Sequence, residues 1–320
     1  MAERESPAKL KLGIPRWLKY TLGSLLVAAA FYFLISRLVR DWHLIPFDEI
    51  HFSLPYLALS YVVLIFCHFP LFGWLWQTIL RSLDVRMPLL PATVITVVSN
   101  VGKYLPGKVW FTVGRMSFAE RYGASEAKVV LSVVMEIAIT LLGGLVLFAF
   151  AVLFIPRSLV PRGAYGFFAL IPICLALLYP PVLNRLLAPV LRLARQPHFE
   201  LRLSYLRLLG MLGICLLDWL AQGTGSYLLI NSFYPLPLAK LPVLLGAYAI
   251  SWMIGFLVLV APAGLGVREG IYTVILKTVI AGPVAIITAL VTRVWMTAGE
   301  LIAALAGFVY LRAISRRTDA

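Results

Sequence analysis

Asn100-Val-Gly-Lys-Tyr-Leu-Pro-Gly-Lys-Val-Trp110 breaks a very apolar sequence with polar, glycine and proline residues. The interruption runs on to Gly114-Arg115 and ends at Gly123. A second one, Pro262-Ala-Gly-Leu-Gly-Val-Arg-Glu-Gly270, echoes it far downstream. The first lies between two apolar stretches too short to cross alone; the second follows the apolar run Leu241–Val260 and precedes a short one. The chain therefore reads as a bundle of membrane helices with two broken segments, near 89–118 and 241–281.

Composition sets that frame. Of the 320 residues, 61% are hydrophobic and 13% charged, whereas a soluble domain has about half and a quarter. Several apolar runs reach the ~20 residues that a spanning helix needs. Read in order, the spans are Tyr20–Ser36, Leu54–Leu80, Val129–Ile155, Ala164–Leu183 (kinked at Pro172 and Pro180), Leu206–Phe233 and Pro283–Leu311. Leu89–Val101 with Pro106–Phe118, and Leu241–Val260 with Val267–Ile280, form two re-entrant or broken pairs. The expected fold is an all-α polytopic membrane protein with about six full transmembrane helices plus these two pairs. It is one transmembrane domain, 20–311, between basic tails at 1–19 and 312–320.

The net charge of +14 does not point to nucleic acid, because the basic residues gather at the ends of apolar runs, as topology signals do. They cluster in the N-terminal tail, around Arg81 and Arg86, from Lys103 to Lys128, in a basic loop from Arg185 to Arg207, and in the C-terminal tail. The positive-inside rule then places both termini in the cytoplasm. The N-terminal basic and apolar residues resemble a signal peptide, but no small-x-small site follows, so an uncleaved first helix is expected. Cys67, Cys174 and Cys215 lie in apolar runs and read as core residues.

Spacing relates the two breaks. Gly107 is followed by Gly123 sixteen positions on, and Gly266 by Gly282 sixteen positions on. Each second glycine opens a long span with an ionisable residue inside it, Glu136 or Arg293. This suggests an inverted repeat of the kind found in secondary transporters.

The chemistry of the breaks follows from helix ends. Proline is tolerated in a first turn, glycine lets a ligand approach the backbone, and the free N–H groups attract anions. Pro106-Gly107 and Gly264-Leu-Gly266 each read as such a start, with Lys108 and Arg268 in the first turn. Together with Asn100, Lys103, Arg115 and Glu269 they are the candidate substrate-binding residues, suited to a phosphate group. Glu136, Asp218, Arg293 and Glu300 lie inside spans. A charge there costs about 2.5–3.5 kcal/mol on insertion scales, so these four read as a network, with Arg293 pairing Glu136 or Asp218.

Other chemistries are not supported. Gly102-Lys-Tyr-Leu-Pro-Gly107-Lys108 imitates a phosphate loop, but Val109 stands where Ser or Thr would hold Mg²⁺. Gly264 to Gly270 misses the dinucleotide fingerprint by one position and lacks a βαβ setting. His43, His51, His68 and His198 show no metal-ligand spacing. His68, inside a span, reads as hydrogen-bonded. No catalytic triad or paired carboxylate stands out, and no cofactor or metal is expected. Trp17, Trp42, Trp74, Trp76 and Trp110 read as interface anchors.

At these residues the sequence resembles the lysylphosphatidylglycerol synthase transmembrane (flippase-like) family. The resemblance rests on Asn100, Lys103-Tyr-Leu-Pro-Gly-Lys108, Gly114-Arg115, Gly123 and Glu136. Pro262-x-Gly-x-Gly-x-Arg-Glu-Gly270, Gly282 and Arg293 complete it. It covers nearly the whole chain, and its second element is the more specific. In multi-domain relatives this region is the flippase, beside a cytosolic domain that aminoacylates the lipid. The chain ends at Ala320, just after the last span, so the resemblance implies the membrane region alone, without synthase activity. What it implies is a bacterial inner-membrane protein that moves a lipid with a phosphate-bearing headgroup between leaflets. That lipid is an anionic or aminoacylated phospholipid, or a polyprenyl phosphate. Two other readings stay open: a membrane-embedded transferase using Glu269 or Asp218 on a lipid-linked donor, and a non-catalytic partner of a glycosyltransferase or lipid-modifying enzyme.

Overall fold

The structure is a computed structural model that describes residues 52–104, 109–155, 166–193, 203–258 and 262–318, with a few isolated positions near the N-terminus. The described residues are helical, joined by turns. α1 is Leu54–Ser82, α2 Leu89–Asn100, α3 Trp110–Ala119, α4 Glu126–Val152, α5 Phe167–Leu177 and α6 Pro180–Leu193. α7 is Tyr205–Asn231, α8 Leu241–Leu257, α9 Val267–Leu276 and α10 Gly282–Thr318. The expected first span, Tyr20–Ser36, lies outside the described residues apart from Tyr32 and Ser36, both helical.

Among the described residues five helices are long and apolar enough to cross a membrane: α1, α4, α7, α8 with its leading turn (Leu238–Leu257), and α10. This makes the chain a multi-pass membrane protein. Its side chains agree: along α10, Trp295, Met296, Glu300 and Ala304 are buried while Val294, Leu301, Ile302, Leu305 and Val309 are exposed. Apolar side chains on the outer face are what a lipid solvent permits.

Two expectations change here. Ala164–Leu183 is bent at Pro180, as expected, but as two helices and not one. α5 and α6 meet at 83° across a break before Pro180, where proline begins a helix and cannot continue one. α6 also carries Arg185 and Arg192, placed in a loop from sequence. The second broken pair is asymmetric: with its leading turn α8 has 20 residues, about 30 Å at 1.5 Å per residue, so only α9 is too short to cross.

The two breaks organise the packing. α2, a break and α3 lead into α4; α8, a break and α9 lead into α10. α3 and α9 each have ten residues. The units are exchanged: α8 packs on α4, α2 packs on α10, and the two breaks touch. Both exchanged contacts centre on a glycine, Gly246 against Ala151 and Phe148, and Gly307 against Val94 and Val98. Small residues let membrane helices approach closely. This reciprocity is what two related repeats produce.

α1 contains a π-turn at Leu64–His68, where the Phe69 N–H reaches back to the Leu64 carbonyl. Pro70 supplies the cause: it lacks the N–H that Phe66 would have received and crowds that carbonyl. The wider turn resets the helix face on which His68 points. Further along, Trp76 is fully buried and donates its indole N–H to Ser132 Oγ at 2.9 Å. It is therefore a packing residue between α1 and α4 and not the interface anchor its position suggested; Trp74 and Trp110 are exposed.

Candidate functional site

A cavity of about 90 Å³ lies at the centre of the bundle, where the two breaks meet α1, α4, α7 and α10. It is room for a few waters or a small anionic group, given about 30 Å³ per water, and not for a whole lipid. Its walls are charged in an otherwise apolar protein.

Arg115 on α3 grips Glu136 on α4 end-on, Nη1 to Oε2 at 2.7 Å and Nη2 to Oε1 at 2.9 Å. Its guanidinium lies 4.9 Å from the Trp76 ring and 5.6 Å from Phe72. Lys103, in the first break, donates to Glu300 on α10. The Tyr104 hydroxyl donates to the other Glu300 oxygen at 2.7 Å and lies 3.2 Å from Thr297 Oγ1. Arg293 on α10 faces Glu269 on α9 at 3.5 Å. His68 Nδ1 lies 2.5 Å from Asp218 Oδ1 on α7, and Gln222 donates to Asp218 Oδ2 at 3.1 Å.

The expected network of Glu136, Asp218, Arg293 and Glu300 is thus resolved into separate pairs. Arg293 takes neither Glu136 nor Asp218, because α3 and α1 bring Arg115 and His68 to those carboxylates first. The pairs also mirror each other across the repeats: in the first unit the short helix supplies the cation and the long helix the carboxylate, and in the second the roles are swapped.

Arg268 differs from the other cations. It is buried at 8% exposure, its guanidinium sits 4.7 Å over the Tyr248 ring, and its Nη2 has no hydrogen-bond partner. No carboxylate lies within 4 Å of it among the described residues. Local backbone holds it there. Ala263, Gly264 and Gly266 all have positive φ, 49°, 70° and 80°, which turns the chain sharply from α8 into α9. Glu269 then caps the turn, accepting the Gly266 N–H at 2.6 Å. The positive start of α9 is therefore already met by this chain's own carboxylate; the anion-attracting group is the Arg268 side chain. Arg293 Nη2 is likewise unpartnered.

The chain matches the family model described as the lysylphosphatidylglycerol synthase TM region over residues 20–304. It belongs to that family. None of the curated proteins matches it.

Of the residues singled out from sequence, Asn100, Lys103, Arg115, Glu136, Asp218, Arg268, Arg293 and Glu300 line this family member's cavity. Ala263 stands on the wall where Gly264 and Gly266 were expected, and those glycines serve the turn behind it. Pro106, Gly107 and Lys108 lie outside the described residues; α3 begins at Trp110, four residues later than expected. Sequence reasoning passed over Tyr104, Tyr248, Gln222 and Trp252. Gln222 carried a signal, one helical turn from Asp218 on the same face. Tyr248 carried none, because nothing in an apolar run marks which tyrosine meets a charge.

Proposed function

We propose that the protein moves a lipid with a phosphate-bearing headgroup between membrane leaflets, the phosphate passing through the central cavity. The observation that carries this reading is Arg268: a buried guanidinium in a membrane bundle, with an open N–H and no carboxylate partner among the described residues. An unmatched charge inside a membrane is costly and is expected to face a ligand or ion path. Arginine suits a phosphate, which its planar fork meets with two parallel hydrogen bonds. Arg293 and Lys103 add positive charge on the same wall. The small volume fits a headgroup whose acyl or polyprenyl chains stay in the bilayer. Membership of the lysylphosphatidylglycerol synthase TM region family supports a lipid role. The bacterial inner membrane, with both termini cytoplasmic, is the setting this reading takes.

The test is leaflet exchange of headgroup-labelled anionic phospholipid in liposomes, read by quenching, with polyprenyl-phosphate lipid as the second substrate. Arg268→Ala is expected to slow exchange at least ~tenfold, the worth of one charge-assisted hydrogen bond, while eluting like wild type in detergent. Arg268→Lys is expected to fall between, since lysine keeps the charge and loses the fork. Undiminished exchange in Arg268→Ala would sink the phosphate site.

A further inference from the structure

We infer that the His68–Asp218 pair is a proton-binding site linked to the headgroup site, so that one proton enters the cavity with each lipid phosphate. The inference rests on the lipid-transport reading and names its coupling ion.

The geometry comes first. Pro70 forces the π-turn that aims His68 across at α7. Nδ1 is held at Asp218 Oδ1, while Gln222 holds Oδ2. A carboxylate only accepts, so Nδ1 carries the hydrogen and Nε2 is the ring nitrogen left to take a second proton. The ring is steadied by Phe69 and Phe72, at centroid distances of 5.0 and 6.0 Å. His68 and Asp218 are 5% and 4% exposed and both line the cavity that Arg268 lines.

Charge balance gives the second strand. The cavity and the pairs that close it hold four fixed cations among the described residues: Lys103, Arg115, Arg268 and Arg293. They hold four carboxylates: Glu136, Asp218, Glu269 and Glu300. With His68 neutral the set sums to zero. A phosphodiester that pairs with Arg268 then leaves one negative charge, that of Asp218, uncompensated inside the bundle, which is unfavourable. A proton on His68 restores the balance. Apart from Asp218 itself, those groups are the seven charged neighbours that surround the pair from α3, α4, α9, α10 and the first break. Cys215, one turn from Asp218 and buried, is a further titratable group on α7 beside the pair. Among the described residues Glu136, Glu269 and Glu300 are each committed to an arginine or lysine, while Asp218 is held by a histidine, a side chain that exists both neutral and protonated. A purely structural histidine would need neither the cavity wall nor a cationic site opposite.

Linkage makes this measurable. If the bound anion favours the proton, the proton favours the anion by the same factor. The probe is glycerophosphoglycerol, a soluble phosphodiester headgroup, titrated into the purified full chain in detergent, in weakly buffered solution with a pH indicator. Wild type is expected to take up close to one proton per bound probe, and its affinity to fall ~tenfold for each pH unit over which that uptake occurs. His68→Gln is expected to bind the probe with no uptake and no pH dependence. Asp218→Asn, near-isosteric, is expected to lose the uptake too, and serves if His68→Gln does not fold. Binding by wild type without proton uptake overturns the coupling and leaves the transport reading standing, as does unchanged uptake in the variants. No binding of the probe by wild type fails the phosphate site itself, and the coupling falls with it.

Discussion

Glu136→Ala is expected to destabilise the protein by about 3–5 kcal/mol, the cost of leaving one member of a buried ion pair alone. Arg115 is 1% exposed, with both terminal nitrogens on the Glu136 carboxylate. Without that carboxylate the guanidinium remains charged, because arginine does not give up its proton in proteins. The rings of Trp76 and Phe72 offset a part of that, at most a few kcal/mol by cation–π attraction. Arg115→Met is expected to cost less, since an orphaned carboxylate escapes by taking a proton. Methionine also keeps the packing against Trp76. The double variant Arg115→Met, Glu136→Leu is expected to be closer to wild type than Glu136→Ala, because it removes both desolvated charges. Denaturant-induced unfolding in detergent, followed by tryptophan fluorescence, checks the order. Additive losses in the double variant would show that the two residues do not act as a pair.

That pair also marks the limit of what sequence could tell. Glu136, Asp218, Arg293 and Glu300 were visible as charges in apolar runs, since an ionisable residue there stands out against every neighbour. Their partners were not. Arg115 was legible as a candidate substrate-binding residue and His68 as a hydrogen-bonded residue inside a span, neither with the carboxylate it meets. Which charge meets which depends on how α3 folds back against α4 and on the π-turn before Pro70, and neither has a periodicity to read. The fold class followed from run length and composition, which act over ~20 residues and leave a strong signal. Helix starts at the breaks followed in part: α9 opens at Val267 as read, while the described part of α3 opens at Trp110, with Pro106 to Lys108 outside the described residues. The bend before Pro180 is a similar case, for proline announces a kink and not its angle.

Glycine spacing suggested two related units, and the packing between those units is reciprocal. In each unit a short helix carries one charge to a partner on its following long helix, and the helix before the break crosses to the other unit. The two breaks are therefore clamped by both halves, and a rocking motion of one half against the other would bear directly on the cavity between them. This makes the backbone of the second break, which carries Arg268, the place where a small change should be felt most.

Gly264→Ala tests that break, with an expected loss of about 2–5 kcal/mol and a larger loss of transport than Arg268→Lys. Two costs combine. Gly264 has φ of 70°, where a Cβ meets the backbone, worth about 1–2 kcal/mol. That Cβ would also lie 2.7 Å from the Gly255 carbonyl oxygen and 2.8 Å from its carbon. These are backbone atoms of α8, so no side-chain rotation relieves the contact. Overpacking of this kind adds about 1–3 kcal/mol. The relief available is to push α9 away from α8, which carries Arg268 off the cavity wall, since Gly255 already sits against the Arg268 Cβ and Cα. Gly270→Ala is the control: it lies within α9, has no positive φ and nothing within 4 Å of its added Cβ. It is expected to be neutral or slightly stabilising, as alanine favours the helix by up to about 1 kcal/mol. Unfolding in detergent and leaflet exchange in liposomes read both variants. Equal stability of Gly264→Ala and Gly270→Ala would mean that the tight crossing of α8 and the second break is not what holds Arg268 in place.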